Sequence, residues 1–113
     1  MSNNTLQLFL FFLKTGKWNE LVERFYTRDT KLSIAGNVPV AGVFDELISI
    51  MSPNGEVSQN MVTDVVQDGT SVSFKLYRVI KRLDHHIDMM EHQITQDWSN
   101  NKIQEHTHII IHF

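Results

Sequence analysis

All 6 histidines of the chain lie at position 85 or beyond, at 85, 86, 92, 106, 108 and 112. The ordinary pKa of imidazole, about 6.5, lets it take or give a proton near neutral pH, so their crowding points first to acid–base chemistry. Side chains alternate across a strand. On a strand from Lys102 to His112, His106, His108 and His112 share one face, and Ile103, Glu105, Thr107, Ile109, Ile111 and Phe113 share the other. A preceding strand, His86 to Trp98, is expected to pair with it. If the turn between them is the three residues Ser99 to Asn101, Trp98 opposes Lys102, His92 stands opposite His108, and Asp88 opposes His112. A turn of two residues shifts the register by one and puts His92 and His108 on opposite faces.

His92 and His108 are therefore the candidate catalytic pair. Asp88 could orient an imidazole, and Trp18, Tyr26 or Tyr77 could offer a ring or hydroxyl to an enclosed ligand. Ile34, Met90 and His106 complete the expected lining. Two other uses compete with catalysis. Strand histidines are often simply satisfied by hydrogen bonds, and neutral imidazoles with Asp88 suit zinc or a similar ion. No His-Glu-x-x-His motif supports the metal, so neither a metal nor a cofactor is expected. There is no cysteine, which excludes thiol nucleophiles and disulfides. No Gly-rich phosphate loop or nucleophile elbow occurs either.

Positioning such a pair requires a sheet and something to cover it. The chain has 113 residues, enough for one domain, 1–113, with one core. Thr5 to Thr15 reads as a helix broken by Gly16, and Trp18, Leu21, Val22 and Phe25 recur at helical spacing in a second. Thr30 to Ile34 reads as a short strand, 35–40 as a turn region, and Phe44 to Met51 as a third helix ended by Ser52-Pro53-Asn54-Gly55. Val57 to Gln67 and Ser71 to Leu83 flank Asp68-Gly69, a favoured hairpin dipeptide. With Gln67 opposite Thr70, Met61, Thr63 and Val65 join Leu76, Phe74 and Val72 in one apolar face. Phe9, Phe11, Phe12 and Met51 read as core. The expected class is α+β, helices on one face of a mostly antiparallel sheet.

This order, with Phe25-Tyr26-Thr27-Arg28-Asp29 closing the second helix and Val40-Ala41-Gly42-Val43-Phe44 opening the third, resembles the cone-shaped nuclear transport factor two-like superfamily. Lys102-Ile103-Gln104-Glu105-His106-Thr107-His108-Ile109-Ile110 is similar to the Gly-Lys-Ile-x-Glu-His-Trp-Asp signature of the SnoaL-like polyketide cyclases within it. The resemblance implies a curved sheet under about three helices and a pocket for an apolar or cyclic metabolite. It also implies cyclase- or isomerase-like proton transfer by an Asp whose position here holds His108, assisted by a His whose position falls on His92. The Trp of the signature is Thr107. The base of the related ketosteroid isomerases falls near Ile34, which cannot take a proton, and an Asp of the related epoxide hydrolases falls again on His108.

Lys plus Arg is 10 against 13 Asp plus Glu, a net charge of −3, so nucleic acid and anionic membranes are not expected partners. Lys75, Arg78, Lys81 and Arg82 read as a solvated edge. The apolar run Leu6 to Leu13 is too short to span a bilayer, and without basic residues before it does not resemble a secretory signal, which points to the cytoplasm. Ile109, Ile111 and Phe113, opposite the histidines, are expected to be exposed and to pair two copies back to back, as the superfamily commonly does. The alternative to a ligand pocket is a non-catalytic dimeric interaction module, and the second alternative is a metal-binding sheet.

Overall fold

The computed structural model describes residues 2–34 and 55–113. The expected turn at 35–40 and the expected third helix, Phe44 to Met51, lie outside the described residues. Helix α1 (Asn3–Lys14) starts where the Ser2 hydroxyl accepts the Thr5 amide at 3.2 Å. It buries Leu6, Phe9 and Leu13, one stripe at helical spacing. Phe12 lies at the margin of the core, and Phe11, expected inside, is 54% exposed because it falls off that stripe. Gly16, at φ +71°, makes the turn into α2 (Trp18–Phe25), which buries Leu21, Val22 and Phe25.

Five strands follow: β1 (Tyr26–Ile34), β2 (Glu56–Asp68), β3 (Ser71–Lys81), β4 (Ile87–Ser99) and β5 (Lys102–His112). Their order in the sheet is β1-β5-β4-β3-β2, with β1 parallel to β5 and every other pair antiparallel. β1 begins at Tyr26, earlier than the expected Thr30, with its register irregular between Tyr26 and Lys31. The class is α+β as expected, two helices of the described residues lying on a curved, mostly antiparallel sheet. Phe9 meets Phe25, Phe74 and Trp98 edge-on at 5.4, 6.0 and 5.5 Å between ring centres, so the helices are pinned to the inner face of the sheet. None of the helices among the described residues is long and apolar enough to cross a membrane.

Both hairpins depart from a straight ladder, and the departures decide which side chains face the helices. The β2–β3 turn is Gly69-Thr70 rather than Asp68-Gly69, with Asp68 opposite Ser71. Gly69 has φ +62° at the first central position, as a two-residue hairpin turn prefers. A register shift between Thr63 and Val66, where Asp64 takes φ 55°, then brings Val62 opposite Leu76 and Met61 opposite Tyr77. Val62 therefore packs on the core, and Met61 and Val65, expected on the inner face, are 54% and 41% exposed.

The β4–β5 turn is the two residues Asn100 and Asn101, at φ 54° and 61°. These are the positive values a type I′ turn demands, and asparagine tolerates them. Taken alone, this turn would have parted the histidines. One extra residue in β5, Gln104, undoes the shift: Trp98 pairs with Ile103 but Asp97 pairs with Glu105. Beyond that bulge, His106 and His108 turn to the face that carries Ile103, and Glu105 to the other, so Ile103 leaves the outward set in which parity had placed it.

Candidate functional site

The inner face carries a polar row embedded in the core. His92, His106 and His108 are at most 1% exposed, as is Gln96. His92 does not stand opposite His108; it faces Ile110, and His108 faces Ile94, so the two rings meet along the diagonal of the ladder. His92 Nδ1 lies 2.6 Å from His108 Nε2, and His108 Nδ1 lies 2.9 Å from His106 Nε2. His106 Nδ1 is 2.9 Å from the Tyr26 hydroxyl, which accepts from Gln96 Nε2 at 3.0 Å. Gln96 Oε1 accepts from the Trp98 indole at 3.1 Å.

The direction of this row follows from its first member. An indole N–H can only donate, so Gln96 Oε1 accepts and its amide N–H donates to Tyr26. The Tyr26 proton then goes to His106 Nδ1, which leaves a neutral His106 with its proton on Nε2, donating to His108 Nδ1. His108 in turn donates from Nε2 to His92 Nδ1. His92 is left with its proton on Nε2, and among the described residues that buried nitrogen has no partner. The tautomers are assigned by this network.

Burial keeps the imidazoles neutral. Desolvation, with the neighbouring His108 and Arg78, lowers His92 to about 3. Desolvation and then Arg78 lower His108 to about 4. His106, wholly enclosed, is pushed well below its ordinary range by desolvation first and by the other two rings second. Desolvation raises the Tyr26 hydroxyl, so it stays protonated, against the opposing hydrogen bond from Gln96.

The remaining expected residues divide. Ile34 pairs with His108 across β1 and β5, Met90 is buried on the inner face of β4, and Trp18 lies over the inner face from α2. Tyr77 is on the outer face, its ring 6.3 Å from that of Phe113, and so is not part of the site. Asp88 does not oppose His112, which pairs with Met90, and it orients no imidazole of the row. Its carboxylate is held by Arg82 at 2.8 and 3.0 Å and kept below the usual range chiefly by that bond. Among the described residues no group of His, Cys, Asp and Glu side chains could hold a metal ion; the three imidazoles point their nitrogens at one another.

Sequence reading missed Arg78. It was placed on a solvated edge, yet it is 1% exposed, with its guanidinium 4.7 Å from the Trp18 ring. The signal was present, since Arg78 shares its parity with Val72, Phe74, Leu76 and Ile80, all buried. Gln96 and Trp98 were also missed as parts of the row. Two hollows among the described residues, of about 460 and 470 Å³, lie away from the row, beside α1 and on the outer sheet face.

No protein-family model matches the sequence, and no curated protein does. Solved structures do match. A protein from Mesorhizobium loti assigned as a SnoaL-like polyketide cyclase superposes with a TM-score of 0.74 at 17% identity, over 96% of this chain and 98% of its own. A second such assignment, from Jannaschia sp. CCS1, gives 0.70 at 12% identity over 94% and 84%. A protein from Kribbella flavida assigned as a ketosteroid isomerase gives 0.69 at 14% identity over 96% and 76%. At these identities the likeness speaks for architecture alone: the chain has a nuclear transport factor two-like fold.

Proposed function

We propose that this chain is a SnoaL-like small-molecule-binding protein that takes an apolar or cyclic metabolite against the inner sheet face, with His92 and His108 as its chemical centre. The observation that carries this reading is the one-way row of hydrogen bonds ending in an unpartnered His92 Nε2–H. With His92 Nδ1 occupied by His108, the outer nitrogen offers a proton and no lone pair. A carbonyl or enol oxygen of a ligand would be polarised there, and such a donor acts more strongly in a dry site than in water. Cyclase- or isomerase-like proton shifts would be helped by holding the developing enolate, with the row behind His92 fixing the donor's direction.

Titrating the isotope-labelled protein with 2-tetralone, a bicyclic ketone, tests this by nuclear magnetic resonance. The His92 Nε2–H signal is expected to move on binding, and a His108→Ala variant is expected to lose the response. An unmoved signal at saturation with ketone would discard the site. Exchange of the ketone's α-hydrogens for deuterium, faster than in buffer, would mark turnover, and its absence would mark a binder alone.

One observation favours an interaction role beside this one. Ile109, Ile111 and Phe113 are 39%, 37% and 70% exposed on the outer face, beside Met89 at 39%. We propose that two copies pair through this stripe, which leaves each inner face free for its own ligand.

A further inference from the structure

Arg78 is the buried charge that the row does not use. It stands on the inner face of β3 between Leu76 and Ile80, opposite Met90, with His92 one diagonal step away on β4. Among the described residues its Nε and Nη2 have no hydrogen-bond partner. Those two N–H groups lie on one edge of the guanidinium, the fork that matches the two oxygens of a carboxylate. Arg82, four positions on, shows the same edge in use: its Nε and Nη2 lie 3.0 and 2.8 Å from Oδ2 of Asp88.

Three buried N–H groups are thus left over on one patch of the inner face, from Arg78 Nε, Arg78 Nη2 and His92 Nε2. None can accept, since a guanidinium has no lone pair to offer and the row fixes His92 as a donor. A buried cation without an opposite charge is among the least tolerated features of a protein interior. Desolvation and then the charge of Arg82 lower Arg78 to about 10, so it remains a cation at neutral pH.

We propose that Arg78 and His92 form an anion site, and that the ligand of this protein is an organic carboxylate. Its carboxylate lies on the Nε and Nη2 edge of Arg78, one oxygen also accepting from His92 Nε2–H, and its apolar body lies against Trp18, Leu76 and Met90. One guanidinium supplies one positive charge, which balances a carboxylate and leaves a phosphate dianion uncompensated. This rests on the inner face being the ligand site and names the class of molecule it takes.

The test compares benzoate with benzamide, the same shape without the charge, and with inorganic sulfate, on the full chain. Benzoate at millimolar concentration is expected to raise the melting temperature saturably, with benzamide and sulfate doing so far less. In nuclear magnetic resonance, benzoate should move the Arg78 Nε–H and His92 Nε2–H signals and leave that of Arg82 in place. Arg78→Gln is expected to weaken benzoate binding by about tenfold to a hundredfold, and Arg78→Lys, which keeps the charge and loses the fork, to restore only part of it. Should Arg78→Gln fail to fold, the wild-type signals alone decide. Equal binding of benzoate and benzamide overturns the carboxylate site while the ligand pocket stands. Equal binding of sulfate, or benzoate binding that leaves the Arg78 signal unmoved, overturns it too. Binding of neither aromatic, with 2-tetralone still bound, also removes the carboxylate and spares the pocket.

Discussion

Mild acid should unfold this protein, and the buried row sets the amount. An imidazole has an ordinary pKa of 6.5, and burial lowers His92 to about 3 and His108 to about 4. Below pH 6.5 the unfolded chain therefore binds protons that the folded chain refuses, so the stability contributed by the neutral rings is full above pH 6.5 and drains as the pH falls toward 4. Near pH 5 each ring has lost about 2 kcal/mol, and the two together about 4 kcal/mol. Domains of ordinary stability hold only about 5 to 15 kcal/mol in all. His106 acts in the same direction, so the combined slope should exceed about 2 kcal/mol per pH unit between 6 and 5. Urea unfolding followed by tryptophan fluorescence at about pH 8 and about pH 5 measures it directly. A His85→Gln variant removes an exposed ring outside the row and should keep the effect. A loss below about 1 kcal/mol over that range would refute the assignment of neutral, water-excluded imidazoles.

Deleting Gln104 should disconnect the site, because without the bulge the Asn100-Asn101 turn sends His106 and His108 to the outer face; circular dichroism would show a severely destabilised sheet, and a variant as stable as wild type would disprove the role of the bulge. Phe9→Ala empties the space shared by Phe25, Phe74 and Trp98 and should cost about 3 to 5 kcal/mol in urea unfolding. Ile111→Lys places a charge in the outer stripe and should convert a dimer to a 13.1 kDa particle in light scattering. A wild-type particle already of that mass at micromolar concentration would dispose of the proposed dimer.

Much of the sheet was legible in the sequence because alternation is a strong signal. The inner face of β3 reads straight off Val72, Phe74, Leu76 and Ile80, and the strand boundaries at Ser71 and Lys102 came from the turn residues beside them. Registers were less accessible, since parity presumes an unbroken ladder and a single added residue reverses it. The tip of the last hairpin reads as either three residues or two, and the reversal that the actual two-residue tip would cause is cancelled by a bulge that no residue type announces. The histidines come together although alternation from a two-residue tip would put them on opposite faces. The start of β1 at Tyr26 was hidden for another reason: Tyr26 continues the helical spacing of Leu21, Val22 and Phe25, so nothing local marks the change of period. Arg78 was read as a charge among charges, when its position along β3 placed it among apolar side chains.

Trp98 belongs to two systems at once. Its ring is wedged between Phe9 and Phe25, at 5.5 and 5.8 Å, while its nitrogen begins the polar row. Oily contacts under the helices thereby dictate which atom carries hydrogen on a histidine two strands' width from Tyr26. Substitutions that merely loosen the aromatic nest would be felt as tautomeric disorder at the far end, so in this small protein packing and reactivity are obliged to change together.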